Sequence, residues 1–267
     1  ATMLASLLDT LGDGVITLIA YFSLRISMMP ADEDHRFGHG KAEGFSALIQ
    51  ASFLVGAAVF LMFESFMRLF RPVEIDYHLL GIWVSILAII ASLLIIAVQS
   101  FTLRKIDSLI IEADQRHYMN DVLINGAAIL GLGAHYYWGL GFVDSILGLV
   151  IALYICWTGF QIGIKATDML MDKEIGENER ARIKEIVFAN KQVKGMHDLR
   201  TRRTGMNVSL SFDVELDPAL TLHDAHAIVR ELEFALLEDF PHADIIIHMD
   251  PEGDTYDSRH KVQGVHH

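Results

Sequence analysis

Two pairs of metal-ligating side chains lie in the most apolar parts of this sequence. Asp9 and Asp13 are four residues apart in "LLDTLGD", and His117 and Asp121 have the same spacing in "RHYMND". Because positions i and i+4 share one face of a helix, each pair points into the same space. One imidazole and three carboxylates form a complete tetrahedral shell for a divalent transition metal, and Zn²⁺ is the natural expectation.

Burial in lipid makes these four side chains expensive. A charge at the centre of a bilayer costs roughly 2.5 to 3.5 kcal/mol on insertion scales, and no Lys or Arg lies in the middle of any apolar segment. A bound cation, protons or water must therefore offset the cost. We expect a functional cation or proton site; the alternative is that the side chains are solvated at the ends of their helices.

A second cluster lies in the polar loop "ADEDHRFGHGKAEG", which contains Asp32, His35 and His39. Gly38 and Gly40 allow the loop backbone to fold tightly enough for the three side chains to converge. The loop is a candidate second metal site. Acidic loops with histidines are also common as simply solvated segments, and that interpretation stays open.

A third cluster lies near the end of the chain, where "IIIHMD" reads as a strand. Alternate side chains of a strand share a face, so His248 and Asp250 project together. His197 could meet them if the strands pair as expected, and Asp213 and His226 are further candidates. Ordinary surface polarity is the alternative.

Five apolar segments must position the ligands in the membrane. Stretches of about 20 apolar residues mark transmembrane helices, and we predict them at 2–26, 42–69, 79–103, 115–138 and 143–166. Lys and Arg collect in the connections after the first and third segments, which places those connections and everything after Lys165 in the cytoplasm. On this topology the chain starts on the far side, and we expect a sixth span upstream of a transmembrane domain at 1–170.

The remainder of the chain has the pattern of a soluble domain. Residues 173–251 read as helix, strand, strand, helix, strand, which predicts a small α+β (αββαβ) domain with its helices on one face of a sheet. Residues 252–267 read as a disordered tail.

Composition restricts the partners of this chain of 267 residues. Its formal net charge of −13 argues against nucleic acid, which requires a basic face. The single cysteine, Cys156, excludes a disulfide framework and a cysteine-based zinc site. Any metal must therefore be held by His and carboxylate side chains.

Five stretches, "LLDTLGD", "PADEDHRFGHGKAE", "ADQRHYMNDVLINGA", "HDLRTRRTG" and "IIIHMDP", resemble the cation diffusion facilitator family of the bacterial zinc and ferrous-iron efflux type. The resemblance covers Ala1 to about Pro251. It implies a homodimeric antiporter in the lipid of the bacterial inner membrane, with six spans per subunit and a metallochaperone-like cytoplasmic domain. Such a protein exports Zn²⁺, with Cd²⁺ and Fe²⁺ as further candidates, from the cytoplasm in exchange for protons.

The resemblance also implies roles for individual residues. The family's transport site falls on Asp9, Asp13, His117 and Asp121, its loop site on Asp32, His35 and His39, and its two-metal cytoplasmic site on His197, His226, His248 and Asp250. Asp213 stands where relatives often carry His, which predicts a weaker preference for zinc in the cytoplasmic domain. Lys41 and Asp172 occupy the positions of a charge lock near the dimer interface.

Arg116 departs from the family pattern, because the residue before the site histidine is usually apolar. A cation at this position could reach the cytoplasmic surface, or it could alter access to the site.

The ligand types predict how transport would work. His and Asp bind metal only when deprotonated, so metal and protons compete for the same groups and exchange follows. Glycines beside Asp13 and in "GAAILGLG" would let the helices approach closely and rock past one another. Metal bound between two cytoplasmic domains would draw them together and bias the membrane halves.

Two other function classes stay open at this point. An intramembrane metal-dependent enzyme would need a general base positioned as in HExxH, and no such motif occurs here. A divalent cation channel for Mg²⁺ would favour an all-oxygen filter, and His117 weighs against it. We therefore predict a secondary active transporter rather than an enzyme.

Overall fold

Five long helices are followed by a small sheet with two shorter helices. A computed structural model describes residues 2–70, 78–106, 108–138, 142–205 and 207–253, without the side chains of residues 2–13, 78–81 and 135. The chain divides into two units, Ala1–Leu170 and Met171–His267. Most of the predicted tail, from residue 254 onward, lies outside the described residues.

The first unit is helical throughout its long elements. It contains α1 (Thr2–Ser27), α2 (Lys41–Phe70), α3 (His78–Leu103), α4 (Leu109–Trp138) and α5 (Phe142–Leu170). Within the described residues, α2, α5 and the Ile82–Leu103 part of α3 are long and apolar enough to cross a membrane. The predicted helical membrane domain is therefore confirmed.

The predicted start of the fourth helix at 115 is wrong, because α4 begins at Leu109. The residues before 115 look like a polar connection in the sequence. In the structure Glu112 pairs with Lys165 of α5 at 2.7 Å, and Asp114 accepts a hydrogen bond from Gln99 of α3 at 2.6 Å. Partners on neighbouring helices thus allow this polar segment to be helical.

Small residues let α2 and α5 approach closely. Ala47 and Ala166 are fully buried in a cluster that also holds Leu54 and Ile162. At Gly159 an added Cβ would lie 3.0 Å from Val55 Cγ2 and 3.4 Å from a backbone oxygen of α2. A larger residue there would push the two helices apart.

The second unit contains α6 (Glu177–Ala189), β1 (Gly195–Thr204), β2 (Asn207–Leu216), α7 (Leu222–Asp239) and β3 (Ala243–Pro251). The sheet order is β1-β2-β3, with β1 antiparallel and β3 parallel to β2. This arrangement confirms the predicted αββαβ domain.

Alternation along β2 separates the two faces of the sheet. Its even-numbered residues, Val208 to Leu216, are buried in the core with apolar side chains of α6 and α7. Its odd-numbered residues, which include Asp213 and Glu215, lie on the opposite face. Both helices therefore cover one face, and the other is left for polar side chains.

A bulge in β1 directs His197 to this open face. The register shifts between His197 and Arg200, and Asp198 adopts a positive φ of 51°. The extra residue lets Met196 and Leu199 both contact the core, while His197 pairs with Asp213 across the strands.

Helix contact at Gly159 can be tested by a matched pair of substitutions. Gly159→Ala should lower the stability of the detergent-solubilised protein by about 1–3 kcal/mol through overpacking. Gly163→Ala lies one turn further along α5, where an added Cβ would be 3.7 Å from Ala51 Cβ, an ordinary contact. Both changes improve helix propensity equally, so thermal unfolding of the two variants isolates the contact. Equal unfolding temperatures would contradict the close approach at Gly159.

Candidate metal centres

The transport pair predicted on the fourth span lies on one face of α4. His117 Nε2 is 3.8 Å from Asp121 Oδ2, and both side chains are partly buried. Helix α1, which contains Asp9 and Asp13, contacts α4. The side chains of Asp9 and Asp13 lie outside the described residues, so a four-ligand site stays a prediction.

A carboxylate that the sequence reasoning missed lies one turn before His117. Asp114 is three residues from His117 and therefore continues the face that carries His117 and Asp121. The Gln99 side-chain amide donates a hydrogen bond to Asp114 Oδ2 at 2.6 Å. The i, i+3, i+7 spacing of Asp114, His117 and Asp121 is the signal that would have found it.

Arg116 lines a groove between α4 and α5. Its guanidinium lies 3.9 Å from Glu112 Oε1, and Glu112 also binds Lys165. The groove has a volume of about 440 Å³ and is otherwise lined mainly by apolar side chains such as Met119 and Tyr154. The charge of Arg116 is thus directed toward the first turn of α4.

The loop cluster is assembled as a compact set of ligand atoms. One ligand atom each from Asp32, His35 and His39 lies within 4.8 Å of the others. Asp32 uses both oxygens: Oδ1 is 3.2 Å from His35 Nδ1 and Oδ2 is 3.2 Å from His39 Nε2. Two imidazoles and one carboxylate are a suitable donor set for Zn²⁺.

Local hydrogen bonds explain why the loop folds this way. Asp32 Oδ1 accepts hydrogen bonds from the backbone N–H groups of His35 and Asp34 at 2.6 and 3.0 Å. The bond from His35 lowers the pKa of the Asp32 carboxyl, which favours its metal-binding form. His39 Nδ1 donates to the Pro30 carbonyl at 3.2 Å, which orients the ring so that its Nε2 faces Asp32.

The cytoplasmic cluster lies on the open face of the sheet, where all three strands contribute. Ligand atoms of His197, Asp213 and Asp250 lie within 4.8 Å of one another. His197 Nδ1 is 3.5 Å from Asp213 Oδ2, and its Nε2 is 3.4 Å from Asp250 Oδ2. Burial raises the pKa of the Asp213 carboxyl, while His197 and His248 oppose the rise.

His248 lies beside this cluster, whereas His226 does not. Asp250 Oδ1 is 3.1 Å from His248 Nε2, so the two oxygens of Asp250 face two different imidazoles. His226 is an exposed residue of α7, and α7 covers the opposite face of the sheet. Within one chain the structure therefore does not bring His226 to the cluster, and its role as a ligand stays a prediction.

Glu215 is a second carboxylate that the sequence reasoning missed. Its Oε1 lies 3.8 Å from His197 Nε2. Gly195 pairs with Glu215 across the strands, and a Cβ at Gly195 would lie 2.7 Å from the Glu215 carboxyl carbon. The missing side chain at Gly195 thus leaves room for this carboxylate beside the imidazole. The alternation of Asp213 and Glu215 in "SFDVEL" is the signal that would have found it.

The two residues of the expected charge lock lie in different units. Lys41 Nζ donates to the Leu170 carbonyl at 3.2 Å, and Asp172 lies 3.4 Å from the guanidinium of Arg202. Their pairing with each other stays a prediction.

Comparisons with known proteins cover almost the whole chain. Residues 1–171 match the family model of the cation efflux transmembrane domain, and residues 175–252 match that of the cytoplasmic domain of cation efflux proteins. The cation-efflux pump FieF of Shewanella oneidensis is 39% identical over 251 residues, which are 94% of this chain and 84% of the relative. FieF of Yersinia enterocolitica is 39% identical over 259 residues, or 97% and 86%.

Among solved structures, the metal-bound C-terminal domain of the CzcD transporter from Thermotoga maritima matches with 24% identity and a TM-score of 0.28. The match covers 31% of this chain and 100% of that one.

The long apolar helices, the αββαβ unit and the matches to the two family models define a multi-pass cation efflux transporter with a cytoplasmic C-terminal domain. The chain belongs to the cation diffusion facilitator family. Its relatives are named as pumps, which confirms the prediction of a transporter of divalent metal rather than an enzyme.

Zinc stoichiometry tests the loop cluster directly. His35→Ala should reduce Zn²⁺ bound to the full-length protein by about one ion per chain, because a cluster of two ligands holds the metal far less tightly. Equilibrium dialysis in detergent measures this number. The control His242→Ala removes an exposed histidine outside the loop and should leave the number of bound zinc ions unchanged. The same stoichiometry in both variants would remove the loop from the set of metal sites.

Proposed function

We propose that this chain exports Zn²⁺ from the cytoplasm in exchange for protons by alternating access. The observation that carries the proposal is the pair His117 and Asp121, held 3.8 Å apart on one face of α4. An imidazole and a carboxylate in a membrane helix are expensive unless a cation or proton compensates them. Asp9 and Asp13 of the contacting helix α1 complete the proposed shell.

Proton exchange follows from the chemistry of the proposed ligands. Imidazole and carboxylate must both be deprotonated to bind a metal ion. When the site opens to a proton-rich exterior, protonation competes with the metal and favours its release. When the site reopens to the cytoplasm, the protons are released there and the ligands regain their metal-binding form. One cycle therefore moves metal outward and protons inward.

Zinc is the proposed substrate because of the donor set. A single imidazole with carboxylates suits a borderline-soft divalent ion in tetrahedral geometry. Cd²⁺ and Fe²⁺ share enough of this chemistry to be further candidate substrates.

A homodimer in the bacterial inner membrane is the proposed assembly, and the loop and cytoplasmic clusters are its proposed regulatory metal sites. Asp250 supports a two-metal arrangement, because each of its oxygens faces a different imidazole. A metal ion that binds this face more tightly in one relative arrangement of the subunits than in another would shift the population toward the first arrangement.

Flux measurements with matched variants test the transport site. In proteoliposomes with the cytoplasmic side outward, added Zn²⁺ should enter the lumen and release luminal protons, followed by a trapped pH dye. Asp121→Asn and Asp13→Ala should reduce both fluxes to background, because each removes a ligand. The control Asp144→Asn removes a carboxylate that pairs with Arg68 and lies outside the proposed site. This variant should retain both the zinc flux and the proton flux.

Two results would contradict different parts of this proposal. Zinc flux at the normal rate in Asp121→Asn would place the transport site elsewhere. Zinc flux without proton movement in the unaltered protein would overturn the antiport mechanism while leaving metal efflux intact. A panel of Cd²⁺, Fe²⁺ and Mn²⁺ in the same assay ranks the substrates.

A further inference from the structure

The last ligand of the loop cluster is built into the start of α2. The backbone N–H of Ala42 donates to the His39 carbonyl at 3.0 Å, and that of Glu43 donates to the Gly40 carbonyl at 3.1 Å. These bonds form the first turn of α2. A displacement of His39 is therefore a displacement of the helix start.

Glu43, on this same turn, extends its side chain to the start of α4. Its Oε1 accepts a hydrogen bond from Ser108 Oγ at 2.6 Å and one from the Ile110 backbone N–H at 3.3 Å. Glu43 is 2% exposed and Ser108 is 3% exposed. The contact is thus a buried carboxylate cap on the helix that carries His117 and Asp121.

A carboxylate is an unusual choice for a buried cap. A serine or asparagine would satisfy the free N–H groups of a helix start without placing a charge in the interior. The negative charge adds an attraction to the positive end of the helix dipole, which ties α4 to α2 more firmly than a neutral cap. Because a helix moves as a rigid element, a shift at Ile110 also displaces His117, two turns further on.

We infer that Glu43 is a positioning residue that couples metal occupancy of the loop cluster to the transport pair on α4. Zinc on Asp32, His35 and His39 fixes the position of His39 and hence of the first turn of α2. Glu43 transmits that position to the start of α4. The inference rests on the proposed function of both clusters, and by linkage it acts in both directions.

A double-mutant cycle separates this coupling from a purely structural cap. His39→Ala empties the loop cluster, and Glu43→Gln keeps an acceptor for Ser108 and Ile110 but removes the charge. In the native background His39→Ala should change the KM for zinc uptake into proteoliposomes about five-fold or more, a typical size for allosteric coupling. In the Glu43→Gln background the same change should fall below about two-fold.

Ser46→Ala is the matched control. Ser46 is also buried on the first turns of α2, but its hydroxyl accepts a hydrogen bond from Gln50 within the same helix. This variant removes a hydrogen bond within α2 and leaves the Glu43 contacts with Ser108 and Ile110 in place, so His39→Ala should keep its full effect on KM there. An equal effect of His39→Ala in the Glu43→Gln and native backgrounds, or no effect in the native background, would overturn the inference.

Hydrogen exchange on the full chain gives a second measurement that does not depend on transport. In an Asp121→Asn background, Zn²⁺ should change the exchange rates of amides 108–112 at the start of α4. Ser108→Ala, which retains Glu43 but removes its shorter contact, should abolish that change. Unchanged rates with zinc bound at the loop would overturn the coupling, whereas absence of zinc transport in the native protein would overturn the proposed function instead.

Discussion

An ionised side chain in a membrane helix is stable only beside a partner that compensates it, and this requirement arranges the first unit around α4. The first turns of α4 contact Glu43 of α2 through Ser108, Gln99 of α3 through Asp114, and Lys165 of α5 through Glu112. Polar contacts thus tie α4 to each of three other helices. The same helix carries His117 and Asp121, so the site is positioned by these contacts as well as by apolar burial.

The same requirement applies to the open face of the cytoplasmic sheet. Asp213, Asp250 and Glu215 all lie near the His197 imidazole, and His248 pairs with Asp250 at the edge. Neighbouring carboxylates on one sheet face repel one another. The three arginines of β1 pair with other carboxylates: Arg200 with Asp198, Arg202 with Asp172 and Arg203 with Glu179. A bound cation or proton would neutralise this face. Burial is the main cause of the raised pKa of the Asp213 carboxyl, and the nearby Asp250 adds to it.

Sequence reasoning predicted side-chain proximity correctly where that proximity depends on local spacing. The pairing of His117 with Asp121 follows from the helical period, and that of His248 with Asp250 from the strand period. It failed where the deciding contact is distant in the chain. Glu112 and Asp114 looked like loop residues because their partners, Lys165 and Gln99, lie on other helices.

Two further features of the cytoplasmic unit depend on tertiary contacts. A helical pattern shows that α7 has an apolar side, but not which face of the sheet it covers, and the role of His226 as a ligand stays a prediction. Glu215 was missed because its position beside His197 requires the gap left by Gly195 on the adjacent strand.

The loop cluster and the cytoplasmic cluster differ in the softness of their donor atoms. The loop has two imidazoles to one carboxylate, whereas the sheet has His197 among three carboxylates with His248 at its edge. Imidazole favours borderline ions such as Zn²⁺, and carboxylate favours harder ones. Backbone hydrogen bonds stabilise the charged form of Asp32, while burial disfavours that of Asp213. For the proposed metal sites, both differences predict tighter zinc binding at the loop than at the sheet.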